Sequence, residues 1–426
     1  MDAIAKILAA RAPLTLANAP VGALPLLFAD LARAVAQSRQ NRAVFIAPDD
    51  AGMQAMVETA RFYAPELTII EFPAWDCLPY DRASPSLAIT ARRLSALFQL
   101  QEKHSGPLLV VTTINAATQR TLTRFRIRQL GVKLAPGAVI EREKLIETLT
   151  RQGYVRSDMV ADAGEFAVRG NLVDVFPAGA RQGLRLDFFG DEIDTMRAFD
   201  PATQRTSARV EEHILLPASE ALLDEDSIKR FRSRYRETFG AGATGDPLYQ
   251  AISDGRRLAG MEHWLPMIED RLETLFDHLD DRDVVIREQG GDAAAQQRFD
   301  AIKDYHENRK RVASDAAGSY RPMRPDALYL TTDQWADHIA EQPVHLASPF
   351  DEPESATTID LGFRASRDFA AERARGDNIY TSVSDYIQGH KGVGTVIASY
   401  SQGSRERLLG LLGDHGLGGD QQAGDR

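Results

Sequence analysis

Three short runs of the chain, at 43–47 (Ala-Val-Phe-Ile-Ala), 67–72 (Leu-Thr-Ile-Ile-Glu-Phe) and 108–112 (Leu-Leu-Val-Val-Thr), are largely apolar, with few positions suited to water. Strands that read this way are buried on both faces, and they belong to parallel sheets covered by helices on either side. Between them, residues 51–63 and 87–101 carry apolar side chains at helical spacing. Ser86 is placed to cap the second of these helices, and Pro73, Pro79 and Pro85 order the loop before it. Residues 1–130 are therefore read as α/β layering around a mainly parallel sheet.

At 426 residues the chain is long for one domain, and two to four are expected. Residues 131–217 change character to short strands and turns with one helix at 141–152, a small α+β domain. From 218 to 342 the chain is helical and charged, notably at 226–239 and 298–311, with a strand returning at 284–286. Residues 343–415 are read as a further small α/β domain, with strands at 358–361 and 393–398 and a helix at 404–412. The last stretch, 416–426, reads as a mobile linker.

The formal net charge of −11 argues against a surface built wholly for nucleic acid, because phosphates are neutralised by clustered Lys and Arg. Arg120, Arg124, Arg126, Arg128 and Lys133 form the densest basic run. Its plainer reading is a solvated helix face or a domain junction; its sharper one is a DNA contact. Cys77 is the single cysteine, which excludes an internal disulfide and fits a reducing compartment. The amino terminus has no signal-peptide pattern, and no run approaches the roughly 20 apolar residues of a membrane-spanning helix. A cytoplasmic protein without membrane contact is expected.

The stretch Phe-Ala-Val-Arg-Gly-Asn-Leu-Val-Asp-Val-Phe-Pro at 166–177, followed by Arg-Leu-Asp-Phe-Phe-Gly-Asp-Glu-Ile-Asp at 185–194, reads as consecutive strands with a turn at Gly190-Asp191. Alternation puts Leu184, Leu186 and Phe188 on a buried face and Arg185, Asp187 and Phe189 on the opposite one. An aromatic beside an arginine on the polar side of a sheet suits a partner surface, where both residue types are enriched. The plainer reading pairs Arg185 with Asp187 or a cross-strand acid and packs Phe189 under a helix.

Three segments also carry a resemblance: Phe-Pro-Ala-Trp-Asp-Cys-Leu-Pro-Tyr-Asp at 72–81, Gly-Glu-Phe-Ala-Val-Arg-Gly at 164–170 and Leu-Asp-Phe-Phe-Gly-Asp-Glu-Ile-Asp at 186–194. In this order they resemble the amino-terminal part of the bacterial transcription-repair coupling factors, which is itself similar to the excinuclease component UvrB. The resemblance implies a degenerate P-loop-NTPase-like α/β domain, split by the inserted 131–217 domain and completed by 218–342. It assigns Arg169, Arg185 and Phe189 to contact with the excinuclease component UvrA. Intact members of the family use an ATP-driven motor to displace stalled RNA polymerase from DNA, and their carboxy-terminal domain masks the excinuclease-binding surface. This chain is expected to stop before the polymerase-binding and motor parts, and so to recruit without translocating.

The residues point away from catalysis by this chain. A phosphate-binding loop ends in Gly-Lys-Ser/Thr, and no Gly-Lys pair occurs in the sequence. The corresponding place, 18–24 (Asn-Ala-Pro-Val-Gly-Ala-Leu), lacks both the lysine and the hydroxyl. Gly-His-Lys-Gly-Val-Gly at 389–394 only superficially resembles such a loop. Asp191-Glu192, Asp351-Glu352 and the acids at 280–283 are read as solvated turns, and the nine histidines are scattered. Trp75, Leu78 and Tyr80 are read as loop packing. No cofactor or metal is expected. A non-catalytic DNA-binding module using 120–133 is the alternative function.

Overall fold

A computed structural model of the protein describes residues 3–37, 42–315, 320–390, 395–399 and 401–417. The apolar runs form the centre of a seven-stranded sheet. Its order is Thr358–Asp360, Thr15–Ala17, His345–Ala347, Val284–Glu288, Ala43–Ala47, Leu108–Thr113, Thr68–Phe72, and every pair in it is parallel. Ala43–Ala47 and Leu108–Thr113 are buried along their whole length, as two-sided burial requires. Successive side chains feed two separate cores. Ala43, Phe45, Leu109 and Val111 pack on one face with Phe28, Leu31 and Val57. Val44, Ile46, Ile70 and Val110 pack on the other with Leu94, Leu97 and Leu265.

Side-chain caps start the two helices, at Ser86 as expected and also at Asp49. Asp49 accepts from the Gly52 amide to start Asp50–Tyr63, and Ser86 accepts from the Ile89 amide to start Leu87–Gln99. The helix expected at 298–311 runs longer, Gly291–Asp315, because its first turns lack the apolar periodicity that would have announced them.

Residues between the two halves of this layer form a second, six-stranded sheet. Its order is Thr206–Arg209, Glu192–Phe199, Gly183–Phe189, Leu172–Val175, Glu165–Arg169, Val155–Arg156. Only the last pair is parallel. The helix Arg142–Arg151 covers one face through Leu145 and Leu149. Where the chain enters this unit, Val132–Leu134 pairs antiparallel with His213–Leu215, where it leaves. Entry and exit side by side make an insertion compatible with an intact host layer.

The exit is fastened by a buried ion pair. Arg93 Nε donates to Glu220 Oε1 at 2.6 Å, with side-chain exposures of 0% and 1%. Trp75 Nε1 donates to the same oxygen at 2.9 Å, Arg93 Nη1 donates to the Pro73 carbonyl at 2.8 Å, and the guanidinium lies over the Phe72 ring at 4.5 Å. The 72–81 motif is thus loop packing at Trp75 and Tyr80, while Leu78 stays exposed.

The domain boundary expected at 343 falls instead between Phe363 and Arg364, where the contacts divide the chain into two compact units. His345–Ala347 and Thr358–Asp360 lie on either side of Thr15–Ala17 in the large sheet. Three-residue strands carry too little pattern to reveal a partner at the far end of the unit. Among its described residues the second unit does not show the small α/β domain expected. It contains the helices Ala370–Arg375, Ile379–Gly389 and Gln402–Gly413 and, among its described residues, no strand. Of the strand expected at 393–398, residues 395–398 have no regular structure and the first two lie outside the described residues, as do 391–394 of the glycine-rich loop and 418–426 of the tail.

Three of the scattered histidines are core residues. His263 sits beside Trp75 and Tyr80, with ring centroids 5.7 and 6.1 Å away. His278 Nε2 is 2.9 Å from the Leu122 carbonyl oxygen, and His345 Nδ1 accepts from the Leu14 amide at 3.1 Å. Burial pushes each of them from 6.5 down to about 4. An unfolded chain takes up these protons below about pH 6.5, whereas the folded one refuses them until about pH 4, so stability falls as pH drops through that window.

Replacing one of these histidines by Gln should therefore make the stability read from denaturant unfolding fall less steeply between pH 6.5 and pH 5, by up to about 1.4 kcal/mol per pH unit; an unchanged slope contradicts the neutral burial of that ring. Glu220→Ala leaves the Arg93 charge sealed without its partner and should cost about 3–5 kcal/mol in urea unfolding, with much of it recovered in Arg93→Met/Glu220→Leu. An unchanged midpoint for Glu220→Ala would remove the ion pair from this account.

Candidate protein-binding face

The inserted sheet has one face packed under a helix and a second face that is open at the hairpin end and the edge strand, with a small buried cluster of Val160, Ala167 and Phe199 at its middle. Leu184, Leu186 and Phe188 alternate into its core with Val173, Val175 and Met196. The opposite face carries Arg185, Asp187 and Phe189. A bulge between Asp187 and Phe188 in the pairing with Glu192–Phe199 keeps Phe188 opposite Ile193 in the core and Phe189 opposite Glu192 outside it. The turn that follows uses Gly190 at φ +65°, a left-handed conformation suited to glycine.

Strand register puts Arg185 directly opposite Asp174. Its guanidinium grips that carboxylate with both arms, Nε to Oδ1 at 2.7 Å and Nη2 to Oδ2 at 2.9 Å. Arg169 reaches the same Oδ2 from the other neighbouring strand. Asp174 is 1% exposed, so two cations share one carboxylate that is shut off from water. The hydrogen bond to Asp174 raises the Arg185 pKa above its ordinary value. The Phe199 ring, 5.1 Å from the guanidinium carbon, forms a second wall, itself packed against Gly183 where a Cβ would meet it at 2.2 Å. Phe189 is the opposite case: its ring is 82% exposed.

The structure therefore brings Arg169 and Arg185 together on one acid and places Phe189 on the same sheet face, at the hairpin end of the strand that carries Arg185. Arg185 does take a cross-strand acid, Asp174 rather than Asp187. Phe189 does not lie under a helix. Sequence reasoning missed Asp174 and Phe199. The signal for Asp174 was a lone acid alternating with Val173 and Val175, which places it on the face of Arg185 and marks it as a cation's partner.

The basic run is largely consumed within the chain. Arg120 bonds to Gln334 and the Asp326 carbonyl, Arg124 to the Leu279 carbonyl, Arg126 to Asp224 and Glu269, and Lys133 to Glu212. Most of these partners lie at 224–334, so the run packs against the later part of its own unit, neither a wholly solvated helix face nor a free cationic surface. At 18–24, the amides of Asn18 and Ala19 donate to the carbonyls of Phe350 and Ser348, both at 2.8 Å. Asn18 Nδ2 donates to Asp360 at 2.9 Å and to Asp351 at 3.3 Å. Two amides of this segment are thus engaged by the chain itself, with carboxylates beside them. The acids at 280–283 are not all solvated: Asp283 is buried against Arg42 at 2.7 Å.

The model of the UvrB interaction domain family matches residues 132–220, the inserted sheet together with its fastening acid. The transcription-repair-coupling factor of Haemophilus influenzae is 31% identical over 384 residues, covering 89% of this chain and 32% of the relative. That of Escherichia coli is 30% identical over 386 residues, covering 90% and 33%. That of Myxococcus xanthus is 38% identical over 220 residues, covering 50% and 18%. The chain spans about a third of the length of the first two relatives. These matches make the chain similar to the amino-terminal region of the bacterial transcription-repair coupling factors.

Proposed function

We propose that this chain is a recruitment module that binds the excinuclease component UvrA through the open face of the inserted sheet, with Arg169, Arg185 and Phe189 as contacts, and so links stalled transcription to nucleotide excision repair. The observation that carries this reading is the exposed Phe189 ring on the same face as two arginines fixed on a buried acid. An apolar anchor beside pre-ordered guanidinium forks suits a protein surface with a pocket and carboxylates. Fixing the arginines before binding reduces the ordering cost of association. The chain acts here by binding rather than by hydrolysing nucleotide. RNA polymerase and DNA are engaged through the whole coupling factor, whose carboxy-terminal domain masks the same face until recruitment. DNA holding through 120–133 is less well supported, because four of the five side chains already have partners in the chain.

The test is the affinity of the chain for purified UvrA. Phe189→Ala should weaken binding by about 30-fold, roughly 2 kcal/mol. Arg169→Ala is the cleaner arginine variant, because Arg185 still neutralises Asp174 when Arg169 is gone. It should weaken binding while leaving the melting temperature near that of the wild type. Binding that ignores both substitutions would exclude this face.

A further inference from the structure

Strand register sets two more arginines beside the first pair. Arg185 lies directly opposite Arg197 on the next strand, and Arg197 directly opposite Arg209 on the edge strand. Directly opposed residues of antiparallel strands project from the same face, so three arginines stand in one row, about 10 Å from end to end at the usual strand spacing. Asp174 answers Arg185. Arg197 and Arg209 are exposed and make no side-chain hydrogen bond or ion pair among the described residues. Like charges set directly opposite one another weaken a sheet, and such local inconsistency is kept where function requires it. The hairpin end of the face differs: Val139 bridges to Glu192, which stands opposite Phe189, and Val139 is 76% exposed. The face is zoned, with cations across its middle and apolar groups flanking an acid at its tip.

We infer that Arg197 and Arg209 extend the excinuclease-binding face and receive an acidic segment of that partner, with carboxylates spread over about two strand spacings. The inference rests on the recruitment reading above and adds the chemistry of the partner's surface. Guanidinium forks match carboxylates in shape, and exposed charges at the edge of an interface act chiefly on the rate of encounter.

The experiment measures association of the chain with UvrA at low and high salt for the wild type, Phe189→Ala, Arg197→Glu and Arg197→Gln/Arg209→Gln. Both arginine variants should associate about 10-fold more slowly at low salt, with the difference shrinking as salt screens the charges. The melting temperature of Arg197→Glu should hold or rise, because two repelling pairs become attracting ones. Arginine variants that associate like the wild type, while Phe189→Ala binds weakly, would overturn this inference and leave the recruitment reading standing. A wild-type chain that does not bind overturns both.

Discussion

A guanidinium and a carboxylate hidden from water, Arg93 and Glu220, join the inserted sheet to the parallel layer. Each charge would be costly to bury alone, so helix Leu87–Gln99 and the segment leaving the insertion are held in one arrangement. The Trp75 indole and the Pro73 carbonyl bind the same pair, which draws the 72–81 loop into it. The chain then returns to the large sheet, where Val284–Glu288 lies between Ala43–Ala47 and His345–Ala347. Buried Arg42 and Asp283 fix that return. Two ion pairs thus anchor the host layer around the insertion.

The candidate face works by the same device on a smaller scale. Asp174 is inaccessible to a partner, yet it determines how Arg169 and Arg185 are presented. Removing that acid would strand one half-buried and one exposed guanidinium; removing Arg185 would leave the buried carboxylate held only by the more exposed Arg169. A substitution at either position therefore mixes folding with recognition. Phe189 carries no such ambiguity, because its ring is exposed at the end of its strand.

Much of the layered fold was legible in the sequence because its signals are local. The runs at 43–47 and 108–112 needed no partner to announce burial, and Ser86 announced the start of its helix. The alternation at 184–189 placed its side chains on the correct faces. What stayed hidden was long-range: the pairing of Thr15–Ala17 with strands near the other end of the unit, the sharing of Asp174 by two arginines, and the row from Arg185 to Arg209. Register between strands decides each of these, and register is set by bulges and turns that a single sequence does not display. The motif at 72–81 was visible as a motif, but its physical purpose, receiving Arg93 and Glu220, depends on residues 145 positions apart at the Trp75–Glu220 bond.

The central claim, that the open face of the inserted sheet meets UvrA, is tested most directly by photo-crosslinking. A benzophenone amino acid would be placed at position 189, and a control would carry it at Phe62, an exposed ring on helix Asp50–Tyr63. The account predicts a covalent adduct with UvrA from position 189 and none from position 62. Adducts of equal yield from both positions, or an adduct from position 62 alone, would contradict it.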